Sequence, residues 1–185
     1  MLRLTAFLLF ALVLVSCWDF SRRPLPNRIK VFGYKPVYSN DPSLLRIYSD
    51  LPKDVKFAGK IYVKDNYIFQ NDLGYGIHVI DNNNPSQAKR VGFIHIPGNS
   101  EISIKGNFLY ANSFDDLLVI DITNWRNAVE VKRFQHAFSQ GNQAQPNFYI
   151  PLPEHQVYYE CLSFGNGIQT GWIKDSIYNA NCFYQ

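Results

Sequence analysis

The sequence lacks a strong excess of charge of either sign. Lysine and arginine together number 18, aspartate and glutamate 15, and the formal net charge is +3. A nucleic-acid-binding protein usually carries a clustered basic excess, so the near balance argues against that class. Disorder is excluded as well, because 46% of the residues are hydrophobic and disordered chains are poor in such residues. The composition predicts a folded domain with no nucleic-acid partner.

Long hydrophobic runs are also missing. The longest, Leu4–Val15, has 12 residues and would measure about 18 Å as a helix. A bilayer core of about 30 Å needs about 20 apolar residues. A short apolar run that follows a single basic residue, Arg3, is typical of a secretory signal peptide. We therefore expect residues 1–16 to be a signal peptide.

The end of this run, Leu14-Val15-Ser16-Cys17, resembles the bacterial lipobox. Val15 stands where that motif prefers a small residue. The resemblance implies that Cys17 is lipidated, with palmitate among the acyl chains, and that residues 17–32 form a tether to the membrane. Trp18 rather than aspartate follows the cysteine, which by the same resemblance favours an outer-membrane lipoprotein of the cell envelope. No acidic run follows Cys17, apart from Asp19 alone, which favours a periplasm-facing protein over one exported to the surface. A plain secretory signal with an incidental cysteine is the alternative.

Motifs that identify enzymes are absent from the sequence. It contains no Gly-x-Ser-x-Gly elbow, no phosphate-binding glycine-rich loop and no His-Glu-x-x-His pair. Because no motif supports a reaction, we predict no catalytic residues, no cofactor and no enzyme activity.

Metal-binding patterns are absent too. The four histidines, His78, His95, His136 and His155, are not paired at ligand spacing. His78 and His95 lie in strand runs, and we expect these two to be packed or half-exposed residues of a sheet. Acidic and amide residues cluster in loops without the spacing of a calcium loop. Such residues are the usual turn formers, and the clusters are Asn71-Asp72, Asp81–Asn84 and Asp115-Asp116. We predict no metal site.

Only two cysteines, Cys161 and Cys182, remain beside Cys17. An even pair in an oxidising compartment is typical of a disulfide, which here would tie back the C-terminal tail and contribute about 3 kcal/mol. A reactive cysteine beside His155 is the alternative, but no activating motif supports it.

The most informative feature is an internal repeat. Residues 64–69 match residues 105–110 at an offset of 41, and residues 77–81 match 117–121 at an offset of 40. The single-residue difference lies in the intervening loop, where repeats of hairpins usually vary. We place the two repeats at about 59–98 and 99–138.

Each repeat predicts about four β-strands. The first two strands are rich in Ile, Val, Tyr and Phe and are joined by a tight turn, Asp65-Asn66 in one repeat and Gly106-Asn107 in the other. The third strands, Gly76–Ile80 and Leu117–Ile120, are continuous apolar runs, typical of strands that are buried on both faces. Asp81 and Asp121 end these runs and are expected to close turns.

These residues resemble the LVIVD repeat of bacterial surface and secreted proteins. In that family a strand ending in aspartate is followed by an Asn-Pro turn, matched here by Ile77–Asp81 with Asn84-Pro85 and by Leu117–Asp121 with Asn124-Trp125. Residues 33–138 as a whole resemble uncharacterised Bacteroidetes-type lipoproteins that carry these repeats. The resemblance implies an all-β fold of antiparallel four-stranded units, a partial β-propeller, within a β-repeat domain of residues 33–185. It implies no established activity.

The number of repeats falls short of a closed propeller, which usually has four to eight blades. A C-terminal β segment, residues 147–185, would supply a degraded third unit from strands at Val157–Leu162 and Ile168–Ile173. Residues 33–58 would add a strand or a short helix near Pro42–Tyr48. Three arrangements stay open: a shortened family member, blades completed by another copy, and a small open β-stack.

Two aromatic residues in the variable turn, Tyr75 and Phe114, are the best candidates for a contact surface, because such residues are favoured at interface cores. The sequence thus predicts a lipid-anchored, non-enzymatic module that binds an envelope protein or associates with itself. The alternative is a carbohydrate- or small-ligand-binding protein that uses C-terminal aromatic residues; these are Phe148, Tyr149, Tyr158, Tyr159, Trp172 and Tyr178.

Overall fold

The computed structural model describes residues 30–138, 150–163 and 165–185, and the predicted signal peptide and the predicted lipidation site Cys17 lie outside this part. The strands of the described chain are β1 (Lys30–Ser39), β2 (Tyr48–Asp50), β3 (Ala58–Lys64), β4 (Tyr67–Asp72), β5 (Gly76–Asp81), β6 (Lys89–His95), β7 (Ile102–Lys105), β8 (Phe108–Ser113), β9 (Asp116–Asp121), β10 (Val129–Phe134), β11 (Val157–Tyr159), β12 (Ile168–Tyr178) and β13 (Cys182–Tyr184). Three short 3-10 turns, at Pro42–Leu45, Pro85–Gln87 and Trp125–Asn127, complete the regular structure of the described ranges. The predicted all-β class is therefore confirmed.

The two repeats predicted from the sequence form two separate sheets. Repeat 1 is the antiparallel meander β3-β4-β5-β6, with β2 added beside β6, and repeat 2 is the meander β7-β8-β9-β10. Neither sheet closes into a barrel. None of the helical segments in the described residues is long and apolar enough to span a bilayer.

The offsets in the sequence reappear in the strand register. β4 and β8 begin 41 residues apart, and β5 and β9 end 40 apart. The first hairpin of each repeat turns through a residue with positive φ, Asp65 at 52° and Gly106 at 59°, as the strand twist requires in a two-residue loop. The β-bulge between the last two strands also recurs, at Val91 and Val131.

The third sheet corrects the prediction of a third repeat. Strands do form near the predicted positions, but β11 and β12 are not paired with each other; β1 lies between them in the order β12-β1-β11-β13. β1 runs antiparallel to β12 and parallel to β11. The N-terminal strand, which begins at Lys30, within the segment assigned to the tether, thus completes a sheet with the C-terminal strands.

Burial divides the described residues into two hydrophobic cores. The larger core lies between the two repeats and joins Phe69, Ile77 and Ile94 of repeat 1 to Leu118 and Ile120 of repeat 2. The smaller core belongs to the third sheet and contains Tyr34, Leu152 and Tyr159. The two repeats therefore form one packed pair.

Candidate functional site

The junction between the repeats centres on Trp125. Its ring meets the ring of Tyr67 edge to face, with centroids 5.7 Å apart, and lies over Gly92, where an added Cβ would collide with the indole. The Ser49 hydroxyl donates a 2.7 Å hydrogen bond to the carbonyl of Trp125 and accepts one of 2.9 Å from the N–H of Ala128. These contacts fix the 3-10 turn of repeat 2 against repeat 1.

The turns after the third strands form as predicted. The carboxylates of Asp81 and Asp121 each accept a hydrogen bond from the backbone N–H two residues ahead. The pKa of Asp81 is held below its ordinary value chiefly by the backbone N–H of Asn83. The pKa of Asp121 is lowered by the side chain of Thr123 and then by its backbone N–H. The amide oxygens of Asn84 and Asn124 accept in the same way and cap the 3-10 turns. These four polar side chains are engaged in turn formation.

A buried carboxylate–imidazole hydrogen bond lies at the other end of repeat 1. Asp72 and His78 are both buried, with 3.1 Å between a carboxylate oxygen and Nε2. Asp72 also accepts hydrogen bonds from the backbone N–H groups of Lys56 and Phe57. Burial alone raises the pKa of Asp72, but these hydrogen bonds outweigh it and the net shift is downward. The carboxylate therefore holds the segment before β3 in place.

Asparagine side chains continue this polar cluster across the junction. The side-chain oxygen of Asn112 accepts from the N–H groups of Ser100 and Glu101, and its amide nitrogen donates to the Gly98 carbonyl. Asn99 donates to the Asn112 carbonyl and accepts from the Asn71 side chain. Because these asparagines are buried and serve the backbone, the cluster is a structural element rather than a ligand site.

The predicted contact residues Tyr75 and Phe114 are only partly exposed. Tyr75 stacks on Phe57 at 6.4 Å, the Lys56 ammonium lies 4.1 Å from its ring centroid, and burial raises its pKa. Phe114 packs against Gly98, where an added Cβ would come within 2.8 Å of its ring. Both side chains thus support the turns at the junction, and their role in contacts with a partner stays a prediction.

Three potential metal ligands meet at the end of repeat 2. Asp115, Asp116 and His136 bring one ligand atom each within 4.8 Å of the others, a grouping that the sequence analysis missed because His136 is distant in sequence. Asp116 is already engaged, since it pairs with Arg133 at 2.9 Å and accepts from the N–H of His136. Asp115 pairs with the His136 ring at 2.6 Å, which raises the pKa of that histidine. These groups neutralise one another, and the adjacent guanidinium disfavours a cation.

The third sheet contains a disulfide between Cys161 and Cys182, whose Cα atoms are 5.4 Å apart. It lies beside an open cleft of about 420 Å³ whose lining includes Lys35, Glu160 and Tyr178.

The aromatic residues proposed for carbohydrate binding are in part packed inside this sheet. The ring of Tyr159 is buried against Trp172, and the Trp172 indole donates to the Ile150 carbonyl. Tyr158 packs edge to face on Phe183. Tyr178 is exposed, and Phe148 and Tyr149 lie outside the described residues. These side chains do not form a flat aromatic platform in the described chain.

The clearest candidate site is an apolar face of repeat 2 that no other sheet of the described residues covers. The sequence pattern predicted that the third strand of each repeat is buried on both faces, and this is correct for most of β5. In β9 it is wrong: Leu117 and Val119 are only partly buried and alternate with the buried residues Leu118 and Ile120. Within the described ranges no sheet covers their side, because the strands of the expected third unit belong to the separate sheet β12-β1-β11-β13.

This surface, here called the uncovered face, consists of the side chains that point away from repeat 1. Phe108 is 42% exposed, Phe134 46% and Val131 50%. Its members are Phe108, Tyr110, Leu117, Val119, Val131 and Phe134. A single exposed apolar residue is unremarkable, but a contiguous group of this kind marks an interaction site.

Comparison with known protein families supports the internal repeat. Residues 98–135 match the model of the LVIVD repeat, so an LVIVD repeat is present in the second unit. Repeat 1 has the same strand order. No curated protein and no solved structure matched the chain.

Proposed function

We propose that the chain is a lipid-anchored β-repeat protein of the cell envelope that binds a protein partner and performs no catalysis. One observation carries the binding role: the uncovered face of repeat 2 presents Phe108, Val131 and Phe134 to solvent. Aromatic and aliphatic side chains of this kind form the centres of protein interfaces.

A protein partner suits this face better than a small ligand. The residues lie on a sheet surface rather than in an enclosed pocket, and ligand sites are typically concave. Lys132 lies on the same face, opposite Val119, and its ammonium lies 5.6 Å from the centroid of the Phe134 ring. The other members of the face are aliphatic or aromatic, as at the centres of protein interfaces.

The membrane location rests on Cys17. Several acyl chains on one residue give stable anchoring, and the periplasmic side of an outer membrane is oxidising, which permits the Cys161–Cys182 disulfide. The anchor and the disulfide are thus consistent with one compartment.

Replacement Cys17→Ser is expected to abolish the anchor. The variant should lose metabolic labelling with an alkyne analogue of palmitate, and the protein should leave the membrane fraction after cell lysis. Cys161→Ser is the matched control, because it removes a sulfur without touching the lipobox. Undiminished labelling of Cys17→Ser would contradict the lipoprotein assignment.

A photo-crosslinking amino acid at Val131, on the uncovered face, is expected to give a discrete covalent adduct in intact cells. The second substitution Phe134→Lys should suppress that adduct, because a charge at the centre of an apolar contact is costly to desolvate. The control places the same crosslinker at Phe32, which is 75% exposed on the third sheet. The crosslinking pattern obtained from this position should not change when Phe134→Lys is added. Absence of any adduct at Val131 would refute the binding role of this face.

A further inference from the structure

We infer that the partner is a second copy of this chain, whose repeat 1 docks on the uncovered face of repeat 2, so that copies associate head to tail. The inference rests on the proposed function and adds the identity of the partner. Its basis is that corresponding residues of the two repeats differ in burial.

The uncovered face is the counterpart of a surface that is already an interface in this molecule. At the repeat offsets, Tyr67, Phe69 and Val79 of repeat 1 correspond to Phe108, Tyr110 and Val119 of repeat 2. The repeat 1 residues pack in the large core, whereas their counterparts are exposed or half-exposed. Val91 and Ile94 of repeat 1 likewise pack in or against the large core. Their counterparts in repeat 2 at an offset of 40, Val131 and Phe134, are exposed. Repeat 2 thus presents the surface on which a following repeat would pack.

The complementary surface exists at the other end of the pair. In repeat 1, Val63 lies opposite Ile68 and Ile68 opposite Ile80, so the three share the side that faces away from repeat 2. Their counterparts Ile104, Leu109 and Ile120 are buried at the junction. Val63 itself is 58% exposed. We call this second surface the outer face of repeat 1; it consists of Val63, Ile68, Ile80 and Ala88.

The outer face is open to solvent beside Ile68, Ile80 and Ala88, where a second copy would dock. An open cleft of about 850 Å³ is lined by Ile68, Ile80, Ala88 and the charged residues around them. At the opposite end of the same side, His78 and Phe93 are buried, and the Lys53 ammonium lies 5.2 Å from the Phe93 ring. Docking therefore involves the end of the sheet that contains Val63 and Ala88.

Steric matching also favours this pairing. Within the molecule the large Trp125 of repeat 2 lies over Gly92 of repeat 1. At the repeat offset of 40, Trp125 corresponds to Pro85 and Gly92 to Lys132. A head-to-tail contact would therefore place the small Pro85 of one copy against the long Lys132 of the next. Within the molecule the large residue lies on the inward face of repeat 2 and the small one on repeat 1, whereas between copies the large residue lies on repeat 2's uncovered face. In both cases a large side chain meets a small one.

A head-to-tail contact uses two different surfaces and continues until a ring closes. Propellers usually contain four to eight blades, and each copy supplies two. We therefore expect closed assemblies of about two to four copies, in contrast to a two-fold dimer that would use the uncovered face twice.

Complementation between single-face variants tests the inference. The full chain is extracted in mild detergent and its protein mass is measured by light scattering, with circular dichroism to establish folding. Phe134→Lys disrupts the uncovered face and Val63→Lys the outer face, and each variant alone should be monomeric. An equimolar mixture should form a 1:1 dimer, because each variant retains the surface that the other lacks. Phe32→Lys, the control, should keep the mass of the wild type.

Other outcomes overturn the inference. A monomeric wild type excludes self-association, and an assembly that survives Val63→Lys but not Phe134→Lys indicates the two-fold dimer instead. The mass of the adduct formed at Val131 distinguishes failure of the self-association inference from failure of the proposed binding function. An adduct with the mass of two chains supports the head-to-tail partner, an adduct with another protein refutes it but retains the binding role, and no adduct refutes both.

Discussion

Replacement of Trp125 by alanine is expected to lower the free energy of unfolding by about 3–5 kcal/mol, the usual cost of truncating a buried tryptophan. The indole is 7% exposed and contacts Tyr67 and Gly92 across the junction. Alanine would leave a cavity in the core between the two repeats, which the surrounding residues usually fill only in part. Chemical denaturation monitored by circular dichroism measures the effect.

A double-mutant cycle with Gly92→Ala isolates the contact. Alone, Gly92→Ala should destabilise the protein by about 1–3 kcal/mol through overpacking, because its Cβ would meet the indole. In the Trp125→Ala background it should cost much less, since the ring is gone. Phe32→Ala, at an exposed aromatic residue, should change stability by no more than about 0.5 kcal/mol. Additive effects of Trp125→Ala and Gly92→Ala would show that the ring does not lie over Gly92.

Replacement of Asp72 by alanine is expected to lower the free energy of unfolding by about 3–5 kcal/mol, because it removes a buried carboxylate that accepts several hydrogen bonds, each worth about 1.5–3 kcal/mol when the acceptor is charged. The Asp72 side chain accepts hydrogen bonds from two backbone N–H groups and from His78, and the residue is 2% exposed. The alanine variant would leave these donors buried without partners. Asp72→Asn retains one acceptor oxygen and should fall between wild type and alanine. Equal stability of all three proteins would refute this account of the cluster.

The same carboxylate predicts a pH dependence. The pKa of Asp72 in the folded state is below its ordinary value of 3.8. Its contribution to stability is therefore complete above that ordinary value and is lost as the pH falls through the lower pKa of the folded protein. Asp72→Asn, which does not titrate, should show a shallower loss of stability below about pH 4 than the wild type. The difference in the slope of unfolding free energy against pH is the measurement.

The features that were predicted correctly are those encoded over a few residues. The tight turns at Asp65-Asn66 and Gly106-Asn107 and the capping residues Asp81 and Asp121 depend on hydrogen bonds and backbone angles within one hairpin. Internal repetition reinforced these signals, because each motif occurs twice. For the same reason the strand order within each repeat followed directly from the sequence.

The features that were missed depend on pairing between distant segments. β1 inserts between β11 and β12, more than a hundred residues away in sequence, and nothing in Val157–Leu162 or Ile168–Ile173 marks that partner. The same limit applied to Leu117–Ile120: an apolar run shows that a strand prefers burial but not whether a neighbouring sheet is present to provide it. The Asp72–His78 pair also escaped notice, because each residue alone is typical of a turn or a strand.

The amino-acid sequence alone specified the two hairpin repeats, their offset and their turns, since these follow from alternation of side chains and from local hydrogen bonding. Tertiary structure specified which faces are covered. The core between the repeats buries one side of each sheet, whereas Phe108 and Phe134 stay exposed on the other side of repeat 2. Burial is a property of whatever packs opposite a strand, and that neighbour is determined by the path of the whole chain.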